Sequence, residues 1–427
     1  MLEVTDLSTH PVLLKTALPG PLAQAEIARQ KPHMSPSLIH CYPLMVKRAA
    51  GCMVEDIDGN VLLDVQAGVA TCSTGHCHPA VAAAVSQQMN TLVHICGTDF
   101  FYPGYGELCE RLDRLAPPNE GGWQTFLTNS GTEAVEAAIK LSRYHTGRSQ
   151  LIAFRGGFHG RSLGSLSLTA SKPKYRKGFG PLTPGTHHVD FGDWESIEKV
   201  LFHTTVPANE VAAIVVEPIQ GEGGYIIPEA SFLQHLRRIC DENGILLVFD
   251  EVQSGMGRTG KMFALEHFGV RPDIILAAKG IASGMPLGAM IARKEIMTWP
   301  GGSHGSTCGG NPVCIAAALA TLDLIEGGLM QNAAVVGAEF KQMLSDGLSG
   351  HEGVHEVRGI GLMIGVEFTT PQIAHAVANL CYERGLLVLE CGTKAIRMSP
   401  PLLITREQCK VASDIFTQAL RDVVKKQ

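Results

Sequence analysis

No two cysteines stand in a Cys-x-x-Cys spacing anywhere in the 427 residues, although the chain carries 12 of them. They are scattered through apparent helices and strands, so buried, reduced thiols are expected rather than a disulfide framework. An excess of positive charge is also missing: 35 Lys and Arg stand against 41 Asp and Glu, a formal net charge of -6. That balance argues against nucleic acid or an anionic lipid surface as a partner. No charged-then-apolar leader opens the sequence, and no uninterrupted apolar run approaches the ~18 residues of a membrane span. The expectation is a soluble, unprocessed, cytoplasmic protein. Internal repeats, low-complexity stretches and long flexible linkers are absent too.

A metal site is not expected either. Cys72, His76, Cys77 and His78 cluster in Cys-Ser-Thr-Gly-His-Cys-His-Pro, but their spacing fits no usual zinc pattern and no partner pair follows. A turn leading into a helix near Pro79 is the simpler reading, with proline at a first-turn position.

What the chain does have is a set of apolar runs that end on charge. Asp273-Ile-Ile-Leu-Ala-Ala-Lys279 delivers a lysine at the end of a strand-length apolar segment. Burial there lowers an amine's pKa and makes it a usable nucleophile. Gly244-Ile-Leu-Leu-Val-Phe-Asp250-Glu251 and Val211-Ala-Ala-Ile-Val-Val-Glu217 end on carboxylates in the same way. Such runs, separated by helical patterns, predict parallel strands buried on both faces of an α/β sheet. Ligands bind beyond the carboxyl ends of such strands, so Glu217, Asp250 and Lys279 are expected to converge on one crevice.

At 45% hydrophobic the chain is large enough for two domains. The proline-punctuated first 40 residues suggest an arm with little regular structure. Short strands are expected over residues 43–68, with a hairpin turn at Asp58-Gly59. Alternating helices and strands fill the middle of the chain, where Gly244 is positioned to close a helix that follows Ser231. The pattern changes beyond residue 326 to a smaller α+β region, and Thr405 and Gln408 there fit a capping box. The domain boundaries expected are 1–75 for the arm and joining strands, 76–325 for the large domain and 326–427 for the small one. Thr128-Asn-Ser-Gly-Thr-Glu-Ala places small hydroxyl residues where a strand turns into a helix, a position suited to a phosphate or to an ordinary cap. It is neither a Walker loop nor a dinucleotide fingerprint.

Six motifs in order, Asn129-Ser-Gly-Thr-Glu-Ala134, Gly157-Phe-His-Gly-Arg161, Glu217-Pro-Ile-Gln-Gly-Glu-Gly-Gly224, Phe249-Asp-Glu-Val-Gln-Ser-Gly255, Ala278-Lys-Gly280 and Gly305-Ser-Thr-Cys-Gly-Gly-Asn-Pro312, resemble the class-III aminotransferases. The similarity runs from about residue 40 to near the end and is nearest to the archaeal-type branch. It implies the fold-type-I architecture, with a large domain around a mostly parallel seven-stranded sheet and a smaller α+β domain. It also implies pyridoxal 5'-phosphate as cofactor and a homodimer with shared active sites.

The same resemblance assigns roles. Lys279 would carry the cofactor and move the substrate proton, while Asp250 would pair with the pyridine nitrogen. Val252 and Phe158 would face the two sides of the ring, and Gln253 would reach its phenolic oxygen. Ser130, Gly131 and Thr132 would hold the phosphate, with Thr307 reaching it from the partner subunit. Arg161 would bind a donor's carboxylate and Arg397 an α-carboxylate, with Glu222 covering Arg397 when an ω-amine is in the site. Val69 stands where ornithine enzymes of the family have a tyrosine and 4-aminobutyrate enzymes an apolar residue. His159 is expected to be structural. The implied function is transfer of an amino group from an ω-amino acid such as 4-aminobutyrate to 2-oxoglutarate by a ping-pong mechanism. The alternatives within the family are an ornithine- or acetylornithine-type aminotransferase and an amino-acid racemase or epimerase.

Overall fold

The computed structural model describes residues 7–425. Three strands, β1 (Val46–Ala50), β2 (Met53–Asp56) and β3 (Val61–Asp64), form an antiparallel set. The Asp58-Gly59 turn sits between β2 and β3, with Gly59 at φ 85°. The main sheet follows with β4 (Trp123–Thr128), β5 (Gln150–Phe154), β6 (Thr186–Val189), β7 (Val211–Val216), β8 (Leu246–Asp250), β9 (Ile274–Ala277) and β10 (Gly288–Arg293). Their order is β4-β10-β9-β8-β7-β5-β6. Every pairing is parallel except those of β10, which runs antiparallel to both neighbours. The last strands are β11 (Val354–Ile360), β12 (Met363–Phe368), β13 (Leu386–Leu387), β14 (Leu389–Cys391) and β15 (Ala395–Met398). Four of these make a second sheet, β11-β12-β15-β14, while β13 pairs with β3 and joins the first strands to the end of the chain.

The alternation of strand side chains explains why β7, β8 and β9 are apolar without interruption. Leu247, Phe249, Ile275 and Ala277 join one core, and Leu246, Val248, Ile274 and Leu276 join another on the opposite face. The helix Gly131–Thr146 packs against β4, β7, β8, β9 and β10, and the helix Ala230–Asn243 packs against β7 and β8. Each fully buried aliphatic side chain contributes about 1.5–3 kcal/mol. That gain is what allows charged residues to be carried in at the strand ends.

The expected local signals recur in the structure. Gly244 ends Ala230–Asn243 in the left-handed conformation (φ 62°). Thr405 and Gln408 form a reciprocal capping box at the start of Arg406–Val424. His78 caps the helix Pro79–Met89 by accepting from the Ala80 N–H, while His76 Nε2 lies 2.7 Å from Asp64 Oδ2. Both imidazoles therefore have structural partners.

The N-terminal arm is a correction. It contains a ten-residue helix, Pro21–Gln30, whose free N–H groups at Leu22 and Ala23 donate to the Asp58 carboxylate, each at 2.9 Å. A carboxylate from a distant turn supplies the N-terminal charge that the local sequence lacks. The continuous helical stretch Pro312–Leu348 is long and apolar enough to cross a bilayer by composition, with a window of mean hydropathy 1.8, of which 44% is buried. It is interrupted at Gly328 (φ 147°), and its first part, Pro312–Leu324, packs on Pro79–Met89 and Pro103–Leu115 as a core helix.

The helix Met330–Leu348 approaches the β11–β12 turn so closely that a Cβ on Gly337 would lie 2.2 Å from the Gly361 carbonyl carbon. Gly337→Ala is therefore expected to destabilise the fold by about 1–3 kcal/mol, read as a lowered denaturant midpoint. An unchanged midpoint would show that the helix can shift without loss.

Candidate active site

Beyond the carboxyl ends of β7, β8 and β9 lies a cavity of 380 Å³ whose lining includes Glu217, Asp250 and Lys279. The three strand ends thus meet as their sequence pattern predicts. Ser130, Gly131, Thr132, Phe158, Arg161, Glu222, Val252 and Gln253 also line it.

Lys279 follows β9 in a tight turn and takes a left-handed backbone conformation, φ 44°. A non-glycine residue there costs on the order of 1–2 kcal/mol, and such strain concentrates at functional positions. Burial first, and then the nearby Arg397 guanidinium, bring its amine down to about 8, against the opposing charges of Asp250, Glu217 and Glu222.

Asp250 is held from two sides: Val252 N–H donates to its Oδ1 at 3.1 Å, and His159 Nδ1 lies 2.7 Å from its Oδ2. Burial disfavours charge on His159, yet the bond to Asp250 and the charges of Asp250 and Glu217 raise its pKa overall. The imidazole and the Val252 N–H together fix the direction of the Asp250 carboxylate. His159 is structural as expected, but what it positions is the acid at the centre of the site. Glu217 accepts N–H bonds from Phe158 (2.7 Å) and Gly221 (2.5 Å). Its burial pushes it up to about 7, with His159 acting the other way. Glu217 ties the Phe158 loop to the Gly221 loop. Glu251, next to Asp250, turns away and accepts from Ser254 Oγ, Ala264 N–H and Leu265 N–H.

At the other end of the cavity Ser130 caps the helix Gly131–Thr146, accepting weakly from Glu133 N–H at 3.4 Å. The first N–H groups of this 16-residue helix face the cavity with the positive end of its dipole. Thr132 Oγ1 is fixed by Ser162 and Ser165 at 2.7 and 2.6 Å. A Cβ at Gly131 would meet Val252 at 3.0 Å, so glycine is what lets the helix start approach the β8 loop. Gln253 Oε1 is buried without a hydrogen-bond partner.

The third part of the site is a chain of charges and rings. Arg397, on β15 and 6% exposed, brings Nη1 to 2.8 Å from Glu222 Oε2. Neither its Nε nor its Nη1 finds an aligned hydrogen-bond acceptor, although both are buried. The other Glu222 oxygen accepts from Lys172 Nζ and Tyr175 Oη, each at 3.2 Å. Although burial acts to raise it, Arg397 and Lys172 hold Glu222 below the usual carboxylate range. Exposed Arg161 lies over both the Phe158 and Tyr175 rings, 5.2 and 5.1 Å from their centroids. Lys172 and Tyr175 are functional candidates that the sequence motifs do not contain.

Three expected site residues do not line this cavity, and one of them, Arg397, meets it through Glu222. Thr307 is exposed, on a loop tied to Asn129 through Ser306 at 3.1 Å. Val69 is half-buried in a left-handed turn, Ala67–Ala70, with φ of 50°, 58°, 65° and 61° along it. That turn leads into Thr71, which does line the cavity.

A seven-stranded mixed sheet with a buried lysine beyond β9 and a helix N-terminus facing the same cavity suits a pyridoxal-phosphate enzyme. The chain belongs to the class-III aminotransferases, whose family model matches residues 35–420. The acetylornithine aminotransferase of Methanopyrus kandleri is 43% identical, over 89% of this chain and 95% of its own. The alanine/serine racemase of Pyrococcus horikoshii is 37% identical over 99% of this chain and 95% of its own. Among solved structures, the ornithine aminotransferase of Toxoplasma gondii superposes with a TM-score of 0.88 at 30% identity, covering 97% of both chains. The residues fit the cofactor: a lowered amine, an acid anchored by His159 and a helix N-terminus meet in one cavity.

Only a neutral amine reacts with acetic anhydride, so in trace competitive labelling the acetylation rate of Lys279 in the cofactor-free protein is expected to rise through a midpoint of about 8 and then level off. Arg397→Gln should move that midpoint upward by removing a positive neighbour. Peptide mass spectrometry across pH checks both, and an ordinary lysine midpoint in the parent protein would contradict the assignment.

Proposed function

We propose that this enzyme takes the terminal amine of an acylated ornithine-like donor and passes it to 2-oxoglutarate. The observation that carries the reading is the closed Arg397–Glu222 pair beside an uncovered Arg161. A donor with one carboxylate finds one arginine available and the other neutralised. A dicarboxylate acceptor has a place for each end once Glu222 yields Arg397. The names of the curated relatives favour acetylornithine over the 4-aminobutyrate expected from sequence. Val69 carries no part of that choice, since it lies outside the cavity.

In this reading Lys279 holds the cofactor on its amine and afterwards moves the proton at the reacting carbon. Bound pyridoxal phosphate supplies an electron sink for that proton transfer. Asp250, positioned by His159, would pair with the pyridine nitrogen, and Gln253 would donate through its amide nitrogen to the phenolic oxygen. Val252 and Phe158 enclose the ring, while Ser130, Gly131 and Thr132 receive the phosphate at the helix start. Thr307 serves the neighbouring subunit of a homodimer. Its exposure supports that placement, as do Phe100 and Phe101 nearby, which are 59% and 107% exposed.

A racemase is the second reading, favoured by the Pyrococcus horikoshii relative, whose match extends through the N-terminal arm. It needs a free acid or base across the ring from Lys279. Glu222 is a poor one, since three groups hold it as a carboxylate.

Half-reactions without any 2-oxo acid separate the two. N2-acetyl-L-ornithine and L-glutamate are each expected to yield stoichiometric carbonyl product, with L-alanine recovered unchanged in hand. Accumulating D-alanine or D-serine on a chiral column, with no carbonyl product, would overturn the aminotransferase reading. Strong conversion of 4-aminobutyrate with none of acetylornithine would overturn the choice of donor.

A further inference from the structure

We propose that Lys172 and Tyr175 form a second docking point for Glu222, which holds that carboxylate when it leaves Arg397 and so makes the α-carboxylate site available. This inference rests on the two-arginine reading above and names residues that control the exchange.

Glu222 is only 13% exposed at its side chain, and its two oxygens are divided. Oε2 serves Arg397, while Oε1 already accepts from Lys172 and Tyr175. A substrate carboxylate that takes Arg397 displaces Oε2 alone. The Lys172 ammonium, itself 26% exposed, keeps Glu222 paired throughout. Without it, displacement would leave a buried carboxylate with one neutral partner, and a buried charge stripped of its counter-ion is strongly disfavoured. Arg397 is prepared for the incoming group, because its Nε and Nη1 lack aligned acceptors even in the closed pair.

Tyr175 carries the second half of the argument. Its hydroxyl bonds Glu222, and its ring lies under Arg161 and edge-on to Phe158, with centroids 5.5 Å apart at 76°. The two arginines are thus joined through two residues, in the order Arg161, Tyr175, Glu222, Arg397. Lys172 is a positioning residue here, acting on Arg397 only through Glu222.

The test uses two unreactive acids on the cofactor-loaded enzyme, with dissociation constants from calorimetry. Glutarate needs both arginines, whereas pentanoate needs only Arg161. Lys172→Met is expected to weaken glutarate roughly tenfold to a hundredfold and leave pentanoate unchanged, with Lys172→Arg restoring glutarate. In a Glu222→Gln background the same change should have no effect, since no charge then needs holding. Equal losses for both acids would put Lys172 on the ligand of Arg161 and overturn the proposal. So would a Lys172→Met enzyme that binds glutarate like the parent. A parent enzyme that binds glutarate no better than pentanoate would instead remove the two-arginine reading itself.

Discussion

Keeping the Lys279 amine out of water is the constraint around which the rest of the site is arranged. An ammonium at the end of a buried strand is costly, and the protein meets that cost partly by lowering the charge itself, to a pKa of about 8. The parallel strands β7, β8 and β9 bring Glu217, Asp250 and Lys279 to one edge of the sheet because the three run in the same direction. Their apolar bodies anchor them on both faces. The charged ends are what remains for chemistry.

Two different settings follow. Around Asp250, a raised His159 and the Val252 N–H hold the carboxylate in one direction. Around Lys279, burial and Arg397 favour the neutral amine. One cavity therefore holds an anchored acid and an amine whose positive charge is disfavoured. At its rim, Glu222 has three cationic or hydroxyl partners and can change one without losing the others. Breaking a buried pair outright costs about 3–5 kcal/mol, so a shared carboxylate is a cheaper gate than a simple pair.

The sheet and the centre of the site were legible in sequence because their signals are local. A strand buried on both faces is a continuous apolar run, and Asp250 and Lys279 each end one. The remainder depends on contacts between distant residues. His159 meets Asp250 across 91 positions, and Lys172 and Tyr175 meet Glu222 across 50 and 47. The arm helix was hidden for the same reason, since its capping carboxylate, Asp58, lies 36 residues from Leu22. The left-handed turn at Ala67–Ala70 escaped notice because Gly68 is its single glycine, and the three other residues take a conformation that their types do not announce. The donor was not legible in part because Val69, apolar and outside the cavity lining, does not choose between a donor that lacks an α-ammonium and a donor that masks it.

The most direct test loads the protein with pyridoxal phosphate, reduces it with borohydride and maps the modified peptide by mass spectrometry. A reactive amine at the end of β9 requires the label on Lys279, with Lys279→Ala left unlabelled and folded. A label on a different lysine, or equal labelling of the Lys279→Ala protein, would contradict the account at its centre.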